Sequence, residues 1–194
     1  MDHHRKRYSL NLPRALQRGG IVLGLVLGSM AVHSATCPAQ EGPGPTSLTV
    51  TLRDAEGTDV GRATIIEAAL GIVVRATLEG LPPGTHAFHV HETGMCEPPF
   101  VSAGGHLSAP GSRHGILSLE GMHEGDLPNV HVPESGTIAV DVFVEGVTLG
   151  ERGEPLSLLD DDGSALVVHE GADDYLTDPS GNAGDRIACG AITR

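Results

Sequence analysis

Apart from Lys6 the 194-residue chain has no lysine, and past residue 31 seven arginines face twenty-four Asp and Glu. The first 31 residues carry five Lys and Arg against Asp2, so the remainder has a net charge of −17, compared with −13 for the whole chain. Nucleic acids and anionic membranes both demand a cationic surface, so neither is expected as a partner. The most apolar run, Ile21 to Val32 (IVLGLVLGSMAV), is shorter than the ~20 residues needed to cross a bilayer, and no stable membrane association is expected. After residue 45 no stretch carries a sustained helical stripe, which argues against a helical bundle. Aromatics are scarce and tryptophan is absent, so strands must be recognised from β-branched residues, alternation and turn signals.

What is present begins with a targeting pattern. Arg5, Lys6, Arg7, Arg14 and Arg18 precede the short apolar run, and small residues follow it, the form of a secretory signal peptide. Ser29-Met30-Ala31 predicts cleavage after Ala31; Val32-His33-Ser34 is a second candidate that moves it as late as residue 35. The expected organisation is a signal peptide over 1–31, a flexible lead over 32–46 and one domain over 47–194, long enough for a substantial core. The protein is expected to be exported, to a periplasm or to the extracellular space. In such a compartment Cys37, Cys96 and Cys189 predict one disulfide and one leftover thiol. Spacing leaves the pairing open, although the place of Cys37 just past the cleavage site favours Cys96 with Cys189.

Seven short runs read as strands: SLTVTL (47–52), ATIIEA (63–68), IVVRATL (72–78), HAFHVH (86–91), GTIAVDVFV (136–144), ALVVH (165–169) and RIACGAI (186–192). With Gly- and Pro-rich turns between them, they indicate an all-β sandwich or barrel. Two long polar, glycine-rich segments, 92–129 and 170–185, interrupt the rhythm, and loops of that length in a compact domain are usually functional.

The histidines gather at those loops. In FHVHETGMC (88–96), His89 and His91 are two apart on a strand, so they share a face with Cα atoms about 7 Å apart, which suits two imidazoles converging on one ion. His106, His114, His123 and His169 occupy the same loops and strand ends, and Asp126 follows His123 by three residues. Histidine with one carboxylate, in a chain where two of the three cysteines are expected to be tied up in a disulfide, favours Cu(II) or Zn(II) over an iron–sulfur cluster. His86 and His131 are expected to be structural or surface residues.

At this point the motifs GLPPGTHAFHVHETGMC (80–96), SAGGH (102–106), HGILSLEGMHEGDLPN (114–129), LVVHEGADD (166–174) and GNAGDRIACGAI (181–192) carry a resemblance. From about Leu48 to Ile192 the chain resembles the copper/zinc superoxide dismutases, in particular the bacterial exported type. The resemblance implies an eight-stranded antiparallel Greek-key β-barrel, sandwich-like, with two long functional loops. It implies copper ligands His89, His91, His106 and His169, and zinc ligands His106, His114, His123 and Asp126, with His106 bridging the two ions. Asp173 is implied to link a copper ligand to a zinc ligand, Arg186 to receive the substrate anion, and Cys96 to pair with Cys189. The implied reaction converts two superoxide anions to oxygen and hydrogen peroxide, with His106 and Arg186 as the catalytic side chains. A copper/zinc-binding module for metal delivery or buffering on the same fold is the alternative, and a homodimer is compatible with the family. Intact His114, His123 and Asp126 argue against a copper-only relative.

The sequence also departs from the family. The loops around the channel lack the usual lysines, leaving Arg186 and Arg113 as the positive charges near the site, so weak electrostatic steering is expected. Leu107-Ser108-Ala109 stands where an aromatic-Asn-Pro run is more typical, which brings the rigidity of that loop into question.

Overall fold

The computed structural model describes residues 46–150 and 156–194; the expected signal peptide, Cys37 and all but the last residue of the expected lead lie outside the described residues. Among the described residues the strands are β1 (Ser47–Asp54), β2 (Asp59–Ala68), β3 (Gly71–Leu78), β4 (Gly84–His86), β5 (Phe88–His91), β6 (Val130–Val132), β7 (Ile138–Glu145), β8 (Ser164–His169) and β9 (Arg186–Ile192). The main sheet runs β5-β8-β9-β1-β2-β3-β7, antiparallel throughout, and β4 pairs with β6. Pairing of β3 with β7 and of β9 with β1 crosses between distant parts of the chain, giving the Greek-key pattern of a curled half-barrel. Each of the seven sequence-predicted runs falls on a strand, although GTIAVDVFV starts two residues ahead of β7. HAFHVH is interrupted at Ala87, whose N–H turns away to the carbonyl of Gly171, so eight strand lengths are present as nine segments. Only β6 escapes the sequence pattern, because three residues (VHV) are too few to display alternation.

Alternation explains the walls of the core. In β3, Ile72, Val74, Ala76 and Leu78 point inward while Arg75 and Thr77 face solvent. Together with Leu52, Ile65, Phe88, Leu127, Leu158, Leu166 and Ile192 they form the interior, each large side chain contributing about 1.5–3 kcal/mol by its burial. Strands β5 and β8 behave differently, being buried on both faces. Leu166 and Val168 of β8 enter the interior, whereas Ala165 and Val167 pack outside it with Phe100, Ala103 and Cys189. That outer layer is the loop after β5, fastened to β9 by the Cys96–Cys189 disulfide with a Cα–Cα distance of 5.6 Å. The near-continuous apolar run of β8 is therefore explained by a loop covering its outer face.

Candidate metal centre

β5 pairs with β8 so that Phe88 lies opposite Val168, His89 opposite Val167 and His91 opposite Ala165. Because the odd positions of the pair face outward, both histidines leave the apolar interior and project beneath the covering loop. β5 is also the edge of the sheet, and an uncovered edge would leave unpaired backbone groups. Loop residues satisfy it: Val90 donates to the carbonyl of Gly125 at 2.9 Å, and Leu107 donates to the carbonyl of Val90 at 2.8 Å. This docking brings His106 opposite His91 and Asp126 opposite His89. A side chain on Gly125 would collide with the carbonyl of Val90, so the close approach depends on glycine. Leu107 is itself buried and bonded to both Val90 and Gly125, so the atypical Leu-Ser-Ala step is anchored at its first residue.

Two groups of side chains converge here and share His106. His89, His91, His106 and His169 present one ligand atom each within 4.8 Å of one another, and so do His106, His114, His123 and Asp126; all seven residues are buried. The nitrogens in these groups have lone pairs to offer. Nδ1–H of His91 donates to the carbonyl of Gly104 at 3.1 Å and Nδ1–H of His169 to that of Gly184 at 3.3 Å, which leaves each Nε2 unprotonated. Nε2–H of His89 donates to Asp173 Oδ2 at 2.8 Å, and Nε2–H of His114 donates to Asp173 Oδ1 at 2.9 Å. One carboxylate thus fixes a ring tautomer in each group.

The chemistry of the donor set fits two cations. His89 Nδ1, His106 Nε2 and His123 Nδ1 are buried with no hydrogen-bond partner, a costly arrangement for neutral protein alone and a natural one for a ligand. The carboxyl oxygen Oδ1 of Asp126 is approached by Nδ1 of His106 at 2.7 Å, of His114 at 2.9 Å and of His123 at 3.4 Å. Three imidazoles closing on one carboxylate oxygen supply an N3O donor set, the kind zinc takes. Four imidazoles without a carboxylate suit copper.

Ionisation points the same way. Burial pushes His91 down to about 2, His169 to about 3 and His106 to about 4, so all three are neutral and ready to ligate at neutral pH. Burial alone would push the Asp126 carboxyl up, but hydrogen bonds from His106 and the Gly115 N–H, with the nearby His114, hold it well below the ordinary carboxylate range. Asp173 is likewise held low against its burial by hydrogen bonds from His89, His114 and the Tyr175 N–H.

Arg186 begins β9 and reaches back to the same loop, donating to the carbonyls of Phe100 and Gly104, each at 2.6 Å. It lines an open cavity of about 610 Å³ together with Glu56, Glu170 and Asp185. Arg113 instead pairs with Glu120 at 2.9 Å and adds no free positive charge. His131 is exposed, and its ring bonds to Thr85; His86 is buried, donating to the carbonyl of His169 at 2.9 Å and lying 2.8 Å from that of Pro82. Both therefore hold structure, as expected.

One supporting residue had no role assigned from the sequence. The side-chain amide of Asn129 donates to the carbonyl of Asp173 and accepts its N–H, both at 2.9 Å, and its backbone N–H donates to the Tyr175 hydroxyl at 2.7 Å. An amide gripping both backbone polar groups of one residue from 44 residues away leaves no local signal.

Fold and site together define a Greek-key β protein with two adjacent groups of potential metal ligands that have one histidine in common. The family model for copper/zinc superoxide dismutase (SODC) matches residues 56–192, and the chain belongs to that family. A copper/zinc superoxide dismutase of Aquifex aeolicus is 48% identical over 143 residues, covering 73% of this chain and 83% of that protein. The crystal structure of a SOD-like protein from Bacillus subtilis superposes with a TM-score of 0.71 at 41% identity, covering 74% of this chain and 97% of that one. The Cu/Zn superoxide dismutase from Brucella abortus gives 0.61 at 31% identity, covering 76% and 99%.

Proposed function

We propose that this chain is a superoxide dismutase in which His89, His91, His106 and His169 hold copper and His106, His114, His123 and Asp126 hold zinc. The observation that carries the reading is the pair of buried ligand groups meeting at His106, beside a fixed guanidinium. Copper, when bound, supplies the alternation between Cu(II) and Cu(I) that oxidises one superoxide to oxygen and reduces the next to peroxide. The net change is two superoxide anions and two protons to one oxygen and one hydrogen peroxide.

The chain's own groups do the rest. Arg186, kept cationic and anchored by two carbonyls, is the group that attracts and orients the substrate anion. His106 Nε2 is a proton carrier toward the departing peroxide, its other nitrogen being retained beside Asp126. Asp173 keeps His89 and His114 in the tautomers that offer Nδ1. A delivery or buffering module would need the histidines but has no use for a guanidinium anchored to the same carbonyl as a ligand, which favours the enzyme. Export to an oxidising compartment accords with the Cys96–Cys189 disulfide and with the targeting pattern of the sequence.

Metal analysis of the purified protein together with an assay of superoxide removal tests the reading. Near one copper and one zinc per chain with rapid dismutation is expected. A protein that binds both metals yet leaves superoxide decay unaltered would mark it as a metal-handling module.

A further inference from the structure

We propose that Glu92, outside both ligand groups, is a positioning residue for the reaction: its carboxylate holds one peptide unit that aligns Arg186 and His91. This rests on the copper reading above and adds a residue to it.

The peptide joining Gly104 to Gly105 is a rigid plane with an N–H at one end and a C=O at the other. At the C=O end, Gly104 accepts from Arg186 Nη2 at 2.6 Å and from His91 Nδ1 at 3.1 Å. At the N–H end, Gly105 donates to Glu92 Oε1 at 2.8 Å, and the carbonyl of Gly105 accepts the backbone N–H of Glu92 at 2.9 Å. The next residue is His106. One side chain therefore grips the plane whose opposite end orients the substrate-binding guanidinium and a copper ligand.

A grip from outside is needed because of the glycines. A peptide flanked by two residues without Cβ rotates at low steric cost, so its own backbone does little to hold it. Gly104 sits at φ +73°, and a Cβ there would come within 2.8 Å of Glu92 Cγ and Oε1. The same bareness that frees the peptide thus lets the carboxylate lie across it. Without the carboxylate the Gly105 N–H loses its partner, leaving the plane held at its carbonyl end and by the neighbouring Glu92 N–H to Gly105 bond alone, freer to tilt the Gly104 carbonyl off the line on which Arg186 and His91 meet.

Azide binding to the copper- and zinc-loaded protein, followed by visible absorption, reports the anion site, and the electron paramagnetic resonance spectrum reports the copper ligands. Glu92→Ala and Glu92→Asp, the latter one methylene too short for Gly105, are expected to weaken azide about tenfold and to alter the resonance spectrum. Glu92→Gln keeps an oxygen of the same reach and is expected to stay close to wild type in both. Should the alanine variant fail to fold, the aspartate and glutamine pair carries the comparison. A lowered melting temperature with azide affinity and spectrum unchanged in the short variants overturns the proposal. So does a glutamine variant that behaves like alanine, since charge and not position would then be at work. If the wild-type protein itself shows no azide-sensitive copper spectrum, the copper reading fails and takes this inference with it.

Discussion

Nε2 of His91 and Nε2 of His169 lie 3.4 Å apart inside the protein, each ring having committed its only N–H to a backbone carbonyl. Two lone pairs so close repel unless a cation lies between them. His169→Ala is therefore expected to abolish copper binding and dismutation while zinc remains, since His169 belongs to the first ligand group alone. Metal content by mass spectrometry decides it; full activity in the variant would defeat the copper set.

Asp173 reaches both ligand groups through His89 and His114. Asp173→Asn turns one of its two acceptor oxygens into a donor, so one ring loses the partner that holds its tautomer. Metal affinity is expected to fall about 10- to 100-fold, measured by competition with a chelator. An unchanged affinity for both metals would show that the link has no part in tuning the ligands.

The metal-free protein should lose stability in acid. Unfolded histidine takes up a proton near ~6.5, whereas buried His106 does so only at about 4 and His169 at about 3. Between those values the unfolded chain binds more protons, so stability is complete above ~6.5 and falls as the pH drops toward 4. Each such histidine removes up to about 1.4 kcal/mol per pH unit. Urea midpoints of the chelator-stripped protein across this window test the sign; a midpoint that rises on acidification would reverse it.

Ionic strength should matter little to the reaction rate. Arg186 faces a cavity that Glu56, Glu170 and Asp185 also line, and Arg113 is neutralised by Glu120. With no cationic field extending outward, the rate constant is expected to stay nearly flat as the Debye length shrinks from ~30 Å to ~10 Å between 0.01 and 0.1 M salt. Pulse radiolysis measures this, and a steep fall would reveal steering that these residues do not account for.

Much of the site was legible because its ligands obey short-range rules. His89 and His91 declare their common face through strand alternation, and the crowding of His106, His114, His123 and Asp126 in one polar loop marks it as more than a connection. Other features left no trace along the chain. Arg113 stood in sequence as a free charge beside a ligand, and only folding brought Glu120 against it. Neither the clasp of Asn129 on Asp173 nor the grip of Glu92 on Gly105 could be read from spacing, because both join backbone groups to side chains from other segments.

The chain by itself determined the strands, the acidic balance and the stock of imidazoles, since these follow from the period, charge and chemistry of neighbouring residues. Tertiary structure decided which lone pairs meet. Docking of the loop on the bare edge of β5 brought His106 beside His91 and Asp126 beside His89, and burial then left the rings neutral. Coordination depends on angles and on distances of a few ångströms between residues far apart in sequence, and a packed backbone alone can fix those.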